Sequence, residues 1–279
     1  MAKRFEGKRV FITGASSGIG AALALEFARQ GARVALAARR EDRLEEVRRR
    51  VETAGGEALV AYCDVRDRGS LDAAVAKTIQ AFGGIDVAIA NAGFEVGGAF
   101  ERLDTDDHRR QFDINYFGVV DTTYAVLPHL LESKGQLGVV SSVLGRIGTP
   151  SSSPYCASKF AVTGLAESLL HELAVKGVAV TCIQPGVVVS EIRNVDNMGR
   201  FHPHHKDPAP AWLVVPTEKA ARDIIRALHK HKFDAVITGH GKALVWLKRH
   251  FPWVVGVLVR RSARRKADPT RRRRRPEAD

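Results

Sequence analysis

The chain has 279 residues, of which 45% are hydrophobic and 27% charged. That composition suits one large α/β domain with a short appendage, or at most two small domains. The formal charge of +12 is uneven: residues 260–279 carry ten Arg and Lys against three acids, a surplus of seven that leaves +5 for the rest, so the basicity describes the tail and gives no ground for a specific nucleic-acid site.

Met1–Arg9 is polar and leads directly into an apolar strand, with no run long enough for a signal peptide; the expectation is a cytoplasmic protein. Lys8–Thr13 reads as the first strand. The turn Gly14–Gly20 and an amphipathic helix over Ile19–Gln30 follow, the helix closed by Gly31. Arg33–Ala38 is a second strand, Glu41–Thr53 a charged helix, Ala58–Cys63 a third strand, Ser70–Phe82 a helix and Ile85–Ala90 a fourth strand. Beyond them, Leu137–Ser141 and Val178–Ile183 read as strands flanking a long helix over Pro154–Lys176. A helix at Thr217–Lys230 precedes a last strand at Ala235–Thr238. The polar stretch Glu191–Pro216 shows little periodicity and reads as a mobile insertion of the kind that covers sites.

Continuous apolar strands spaced by helices predict a doubly wound parallel sheet of Rossmann type, covered on both faces. The expected organisation is one principal α/β domain over 1–240, an apolar or amphipathic extension over 241–262, and a disordered basic tail over 263–279. Cys63, Cys156 and Cys182 are odd in number and widely spaced. They predict small buried side chains in a reducing compartment, with no disulfide framework and no metal site.

Three motifs carry chemistry. Gly14, Ser16, Ser17, Gly18, Ile19 and Gly20 belong to a glycine-rich turn between a strand and a helix. Glycines let the backbone approach a pyrophosphate, and the helix start offers unpaired N–H groups to it; the alternative is a tight turn only. Arg39 and Arg40 end the second strand, where an acid would suit the ribose of NAD and an arginine suits a 2′-phosphate. Arg39 is the first choice for that contact, with Ser16 and Arg40 behind it; a solvated helix start is the alternative. Tyr155 and Lys159 stand four apart on one helix face, with Ser142 thirteen residues upstream. A tyrosine of ordinary pKa about 10 needs a neighbouring cation to exchange protons near neutrality. Alone, the Tyr–Lys pair equally describes a surface helical pair.

In order and spacing these motifs, with Asp64-Val65, Asn91-Ala92-Gly93, Asn115, Ser141-Ser142 and Pro185-Gly186, resemble the short-chain dehydrogenase/reductase family from about Lys8 to Ser190. The resemblance implies that Asp64 and Val65 contact adenine, and that Asn91, Ala92 and Gly93 sit beside the adenosine ribose. It implies that Asn115 holds a water in a proton relay, that Ser142 hydrogen-bonds the substrate oxygen, and that Tyr155 exchanges its proton. Lys159 would bind the nicotinamide ribose and lower the Tyr155 pKa, while Pro185, Gly186, Val188 and Ser190 frame the nicotinamide. Ser190 stands where the family has threonine. Read singly, Asp64 is equally a strand-end cap, Asn91 a brace of the sheet and Asn115 a helix-bending residue. The resemblance also implies a homodimer or homotetramer formed through the Tyr155 helix.

The reaction expected is hydride transfer between NADP(H) and a carbonyl or alcohol, with an apolar small-molecule substrate. Val143, Leu144, Ile147, Val187, Val189, Phe201 and Trp212 are the candidate pocket walls, or else ordinary loop packing. His202, His204 and His205 read as a solvent-exposed loop without acidic partners. Within Lys242–Arg261, neither apolar run spans a bilayer. Trp246, Trp253 and the arginines suit an anionic membrane surface, and packing on the domain or at a dimer interface is the competing reading. A non-catalytic NADP(H)-sensing module with a basic partner-binding tail is the alternative function.

Overall fold

The computed structural model describes residues 3–200, 202 and 210–267. Seven parallel strands form the sheet: β1 (Arg9–Thr13), β2 (Arg33–Ala38), β3 (Glu57–Tyr62), β4 (Val87–Ala90), β5 (Gln136–Val140), β6 (Ala179–Gln184) and β7 (Asp234–Val236). Their order is 3-2-1-4-5-6-7, so the winding reverses between β1 and β4. Neighbouring residues of one strand serve opposite cores: Val10 and Ile12 of β1 join the layer under α1 (Gly18–Arg29), α2 (Glu41–Thr53) and α7 (Thr217–His229). Phe11 joins the layer under α3 (Arg68–Phe82), α5 (Gly118–Ser133) and α6 (Ser153–Ala174). A strand buried on both faces has no polar position to spare, which is why these strands read as unbroken apolar runs.

The strand ends differ from expectation by one or two residues. Cys63, Ser141 and Thr238 lie past the strands they were expected to close, in the loops that build the cleft. Two helices were not anticipated. The segment after β4 holds α4 (Thr105–Phe112), a π turn over Asp113–Phe117, and α5. α4 starts on a capping box in which the Asp104 side chain accepts from the Asp107 amide at 2.8 Å. In the stretch expected to be a mobile insertion, two short 3₁₀ turns form at Glu191–Asn194 and Ala211–Leu213, and Val188 pairs with Val215.

At the C-terminus, α8 (Gly239–His250) and α9 (Pro252–Ala267) fold back on the domain. Val255 of α9 is buried with Val143 and Ile147, and Leu244, Leu247 and Val259 pack around them. The extension is thus part of the domain's packing, and α9 continues into the segment expected to be tail. Residues 268–279, with the arginine run, lie outside the described residues.

At the opposite end of the sheet from the cleft, Asp86 ties β1 to β4. Its carboxylate accepts from the Arg9 amide at 2.8 Å and from Arg9 Nε and Nη2 at 2.7 and 3.0 Å. Burial pushes the Asp86 carboxyl upward, but the Arg9 hydrogen bonds and charge outweigh it and leave the pKa below the ordinary value. Asp86→Ala is expected to lower stability at pH 7 by about 2–3 kcal/mol, measured by urea unfolding. Because the native pKa is depressed, the contribution is full above about pH 3.9 and fades as pH falls through the lower native value. The gap between wild type and variant therefore closes in acid.

Candidate active site

The carboxyl ends of the strands open into a cleft of about 790 Å³. It begins where β1 gives way to the glycine turn. Gly14 and Gly18 take left-handed backbone, with φ of 66° and 54°. A Cβ on Gly14 would lie 2.8 Å from Ala92 Cα and 2.9 Å from Asn91 Nδ2, so only glycine lets the turn close on the end of β4. A Cβ on Gly20 would strike the Gly14 carbonyl oxygen. The opening amides of a helix have no intrahelical acceptor, and the Ser17 side chain caps none of those of α1. This uncapped helix start, in a cleft it lines, suits a pyrophosphate.

Asn91 Nδ2 donates to the carbonyls of Thr13 and Gly14 at 2.9 and 3.2 Å, so it braces the turn as well as lining the cleft. Ala92 and Gly93 continue along the same wall.

Two arginines rim this end. Arg39 is exposed and lines the cleft. Arg40 is the more engaged: its Nη2 donates to Ser16 Oγ at 3.1 Å and Ser17 Oγ at 2.9 Å, and its Nη1 pairs with Glu191 at 3.0 Å. Asp64 and Val65 lie beyond. Both Asp64 carboxylate oxygens are held by Arg66, with Nη2 to Oδ2 at 2.6 Å. Burial raises the Asp64 pKa, but the Arg66 bonds and charge bring it below the ordinary value.

At the other end, Ser142 follows β5, and Tyr155 and Lys159 lie in the first turns of α6, which opens on Ser153-Pro154. All three are buried and line the cleft. Lys159 Nζ donates to the Val140 carbonyl at 2.9 Å and sits 5.7 Å from the Tyr155 ring centroid. Burial pulls the Lys159 ammonium down to about 8. The two adjacent serines separate clearly. Ser141 Oγ bonds the Lys159 carbonyl at 2.9 Å and Thr163 Oγ1 at 2.8 Å, locking β5 to α6. Ser142 Oγ accepts only a short-range bond from the Leu144 amide at 3.1 Å among the described contacts.

Asn115 and Gly20 are the two expected site residues that do not line the cleft. Asn115 is fully buried in the π turn. Its amide accepts from Phe94 N at 3.0 Å and donates to the Phe94 carbonyl at 3.1 Å and to Ser158 Oγ at 3.2 Å. Ser158 Oγ in turn donates to the Tyr155 carbonyl at 2.8 Å. Its side chain therefore holds the loop after β4 against the helix that carries Tyr155.

Pro185, Gly186, Val188 and Ser190, which the resemblance placed at the nicotinamide, line the cleft. Of the apolar candidates, Val143, Leu144 and Val187 line the cleft. Ile147 is core beneath it, and Val189 and Trp212 point outward, Trp212 with 84% of its surface exposed. Leu213, the neighbour of Trp212, faces the cleft instead, and Leu244 of α8 joins it. Phe201 lies outside the described residues. His202 corrects the expectation of a loop without acidic partners: its Nε2 lies 2.8 Å from Asp196 Oδ2, because the Met198 and Arg200 amides fold the turn back on Asp196. His204 and His205 lie outside the described residues. The sequence reading also missed Glu191 and His240, both in the cleft wall.

The chain is similar to known proteins in sequence and in fold. The family model for short chain dehydrogenase matches residues 8–199. Glucose 1-dehydrogenase of Gluconobacter oxydans is 39% identical over 68% of this chain and 72% of its own length. Dehydrogenase/reductase SDR family member 7 of Homo sapiens is 41% identical over 66% of this chain, which spans 56% of the human protein. The SDR family protein 7-like of Anopheles gambiae is 33% identical over 94% of this chain and 85% of its own. Among solved structures, an SDR from Burkholderia phymatum in complex with NAD has the same architecture, with a TM-score of 0.80, 24% identity, and coverage of 90% of this chain and 96% of that one. A short-chain type dehydrogenase/reductase from Mycobacterium marinum superposes with a TM-score of 0.73 at 29% identity, over 85% of this chain and 96% of that one. Given a family match over more than half its length and relatives above 30% identity across most of theirs, this chain belongs to the short-chain dehydrogenase family.

Proposed function

We propose that this protein is an NADP(H)-dependent oxidoreductase that reduces a ketone or aldehyde on a fairly apolar substrate. The observation that carries the reading is the buried group of Ser142, Tyr155 and Lys159 in one wall of a cleft whose other end is an uncapped helix start rimmed by arginines. When bound, the nicotinamide supplies the hydride. The chain's own residues do the rest. The opening amides of α1 receive the pyrophosphate, and Arg39 and Arg40 the 2′-phosphate. Ser142 and Tyr155 hold the substrate oxygen, and Tyr155 Oη gives it a proton. Lys159, still largely an ammonium at neutral pH with its pKa near 8, favours the tyrosinate that this leaves behind. Asn115 acts behind them by fixing the helix that bears Tyr155. The apolar walls exclude water from the reacting end.

Tyr155→Phe is expected to cut NADPH-dependent ketone reduction by about a thousandfold, with the dissociation constant for NADPH nearly unchanged in a fluorescence titration. A variant that kept its turnover would remove Tyr155 from the mechanism.

The phosphate preference rests on the basic rim. The double substitution Arg39→Ala with Arg40→Ala is expected to weaken NADPH binding by roughly tenfold and to leave NADH binding nearly as it was. Equal losses for both nucleotides would mean that neither arginine reads the 2′-phosphate.

The C-terminal helices also favour an anionic membrane surface as partner. No helix among the described residues is long and apolar enough to cross a membrane. Trp246 and Trp253 are 56% and 70% exposed. Trp246 lies against the rings of His250 and Phe251, with centroids 5.0 and 5.9 Å away, next to Lys248 and Arg249. Aromatics at a basic edge are suited to the interface of an anionic bilayer. Full-length protein should co-sediment with phosphatidylserine-containing vesicles but not with phosphatidylcholine alone, and Trp246→Ser with Trp253→Ser should abolish the pelleting. If wild type stays in the supernatant with both, this partner is excluded.

A further inference from the structure

The loop after β6 is pinned from several sides, and each pin fixes a different group. The Pro185 carbonyl accepts from the Val143 amide at 2.9 Å, and the Val187 carbonyl accepts from the Val215 amide at 2.9 Å. The amide of Val187 itself turns the other way and donates to Nε2 of His240 at 3.1 Å. His240 stands in the first turn of α8, 53 residues further along the chain, and lines the same cleft as Tyr155 and Lys159.

The surroundings fix the protonation of that ring. Because the Val187 amide donates to Nε2, that nitrogen is bare and the ring is neutral with its proton on Nδ1. Thr238 Oγ1, which accepts from the Gly241 amide at 3.2 Å and lies 3.1 Å from the same nitrogen, can then bond it only as donor. Space is equally constrained: a Cβ on Gly186 would lie 2.5 Å from His240 Nε2 and would collide with Thr238 Oγ1.

We propose that His240 is a positioning residue for cofactor binding: its unprotonated Nε2 orients the Val187 peptide and so holds Pro185–Val188 in the shape that receives the nicotinamide end. This rests on the reading of that loop given under the proposed function. Val143 and Val215 keep the loop folded on the sheet, so His240 sets the orientation of one peptide and not the existence of the loop. The C-terminal helix, which the sequence presents as an appendage, thereby contributes to the site itself.

Protonation would place a hydrogen on Nε2 and abolish both acceptor bonds. Burial holds the His240 pKa below its ordinary 6.5, so the neutral, accepting ring predominates at and above that pH and the bonds are lost as pH falls through the lower native value. The other titratable groups of the cleft wall are Cys63, Asp64, Glu95, Tyr155, Lys159 and Glu191, with the guanidinium groups of Arg39, Arg40, Arg66 and Arg110. Lys242 follows on α8, and Asp234 pairs with Arg146 at β7. Lys159, with its pKa near 8, gains charge as pH falls from 7.5, but it does so in any variant at position 240 alike, so a comparison between such variants isolates the ring.

The test compares full-length wild type with His240→Gln, whose amide oxygen accepts without titrating, and His240→Phe, which fills the space without accepting. NADPH and NADH dissociation constants are measured by fluorescence from pH 7.5 down to the acid limit of folding, with amide hydrogen exchange across residues 185–190 in the protein alone. The expected result is about tenfold weaker nucleotide binding and faster exchange in His240→Phe at pH 7.5, with His240→Gln near wild type. As pH falls, the wild type should weaken relative to His240→Gln; taking this ratio cancels the titration of the nucleotide phosphate. Unchanged binding and exchange in His240→Phe overturns the proposal, as does a parallel pH response of wild type and His240→Gln. If wild type binds neither nucleotide, the cofactor reading fails with its dependent claim, whereas the exchange arm still reports whether His240 orders the loop. Should His240→Phe not fold, the pH response of His240→Gln decides alone.

Discussion

The site depends on how two strands part. Between β1 and β4 the winding of the sheet reverses, and past Thr13 and Ala90 the strands have no further ladder partners across the gap. The buried hydroxyl of Thr13 fills that place: it donates to the Ile89 carbonyl at 3.3 Å and accepts from the amides of Asn91 and Ala92 at 3.0 and 3.2 Å. A single side chain thus satisfies three backbone groups that divergence would leave unpaired. Once the ends are fixed, the Asn91 side chain can cross to the glycine turn, and the turn can close only because Gly14 and Gly20 leave room for it. The open crevice beside this junction is where ligands enter such sheets.

Lys159 applies the same logic at the other end with a charge. It is buried, and the Val140 carbonyl at the end of β5 accepts from its ammonium. A lone ammonium in a core is costly, and burial alone drives its pKa down to about 8. Ser141 and Thr163 secure the helix turn around it by bonding its carbonyl. A buried charge is often no better for stability than an apolar residue of equal volume; under the proposed function its rationale is the charge it places beside Tyr155.

Much of this was legible in the sequence because parallel strands buried on both faces leave unbroken apolar runs, and because the glycine turn, Tyr155 and Lys159 keep strict local spacing. The illegible parts share a cause: they depend on contacts between distant segments. Arg39 and Arg40 are equivalent as letters, and only the fold of the strand end turns Arg40 onto Ser16 and Ser17. Trp212 looked the better wall residue, yet the short 3₁₀ turn presents Leu213 to the cleft and leaves Trp212 outside. The helices after β4 were hidden by the short, charged α4, by an irregular π turn, and by Pro128 inside α5. The Asp104–Asp107 capping box was the one local signal that marked their start. Nothing local links His240 to Val187.

The two ends of the cleft therefore obey different physics. At the end taken as the adenine site under the proposed function, Arg40 and Glu191 are each about one-third exposed, at 38% and 33%. Their attraction is screened by salt and small in net effect, so groups there act nearly independently and a ligand phosphate competes with Glu191 on similar terms. At the nicotinamide end Tyr155, Lys159, Ser141 and Ser158 are buried and share hydrogen bonds through α6. Removing one leaves its partner unsatisfied in a low-dielectric setting, so effects there are coupled and non-additive. Under the proposed function, selectivity among cofactors would then drift by single surface changes at one end, while the chemistry at the other would change only as a unit.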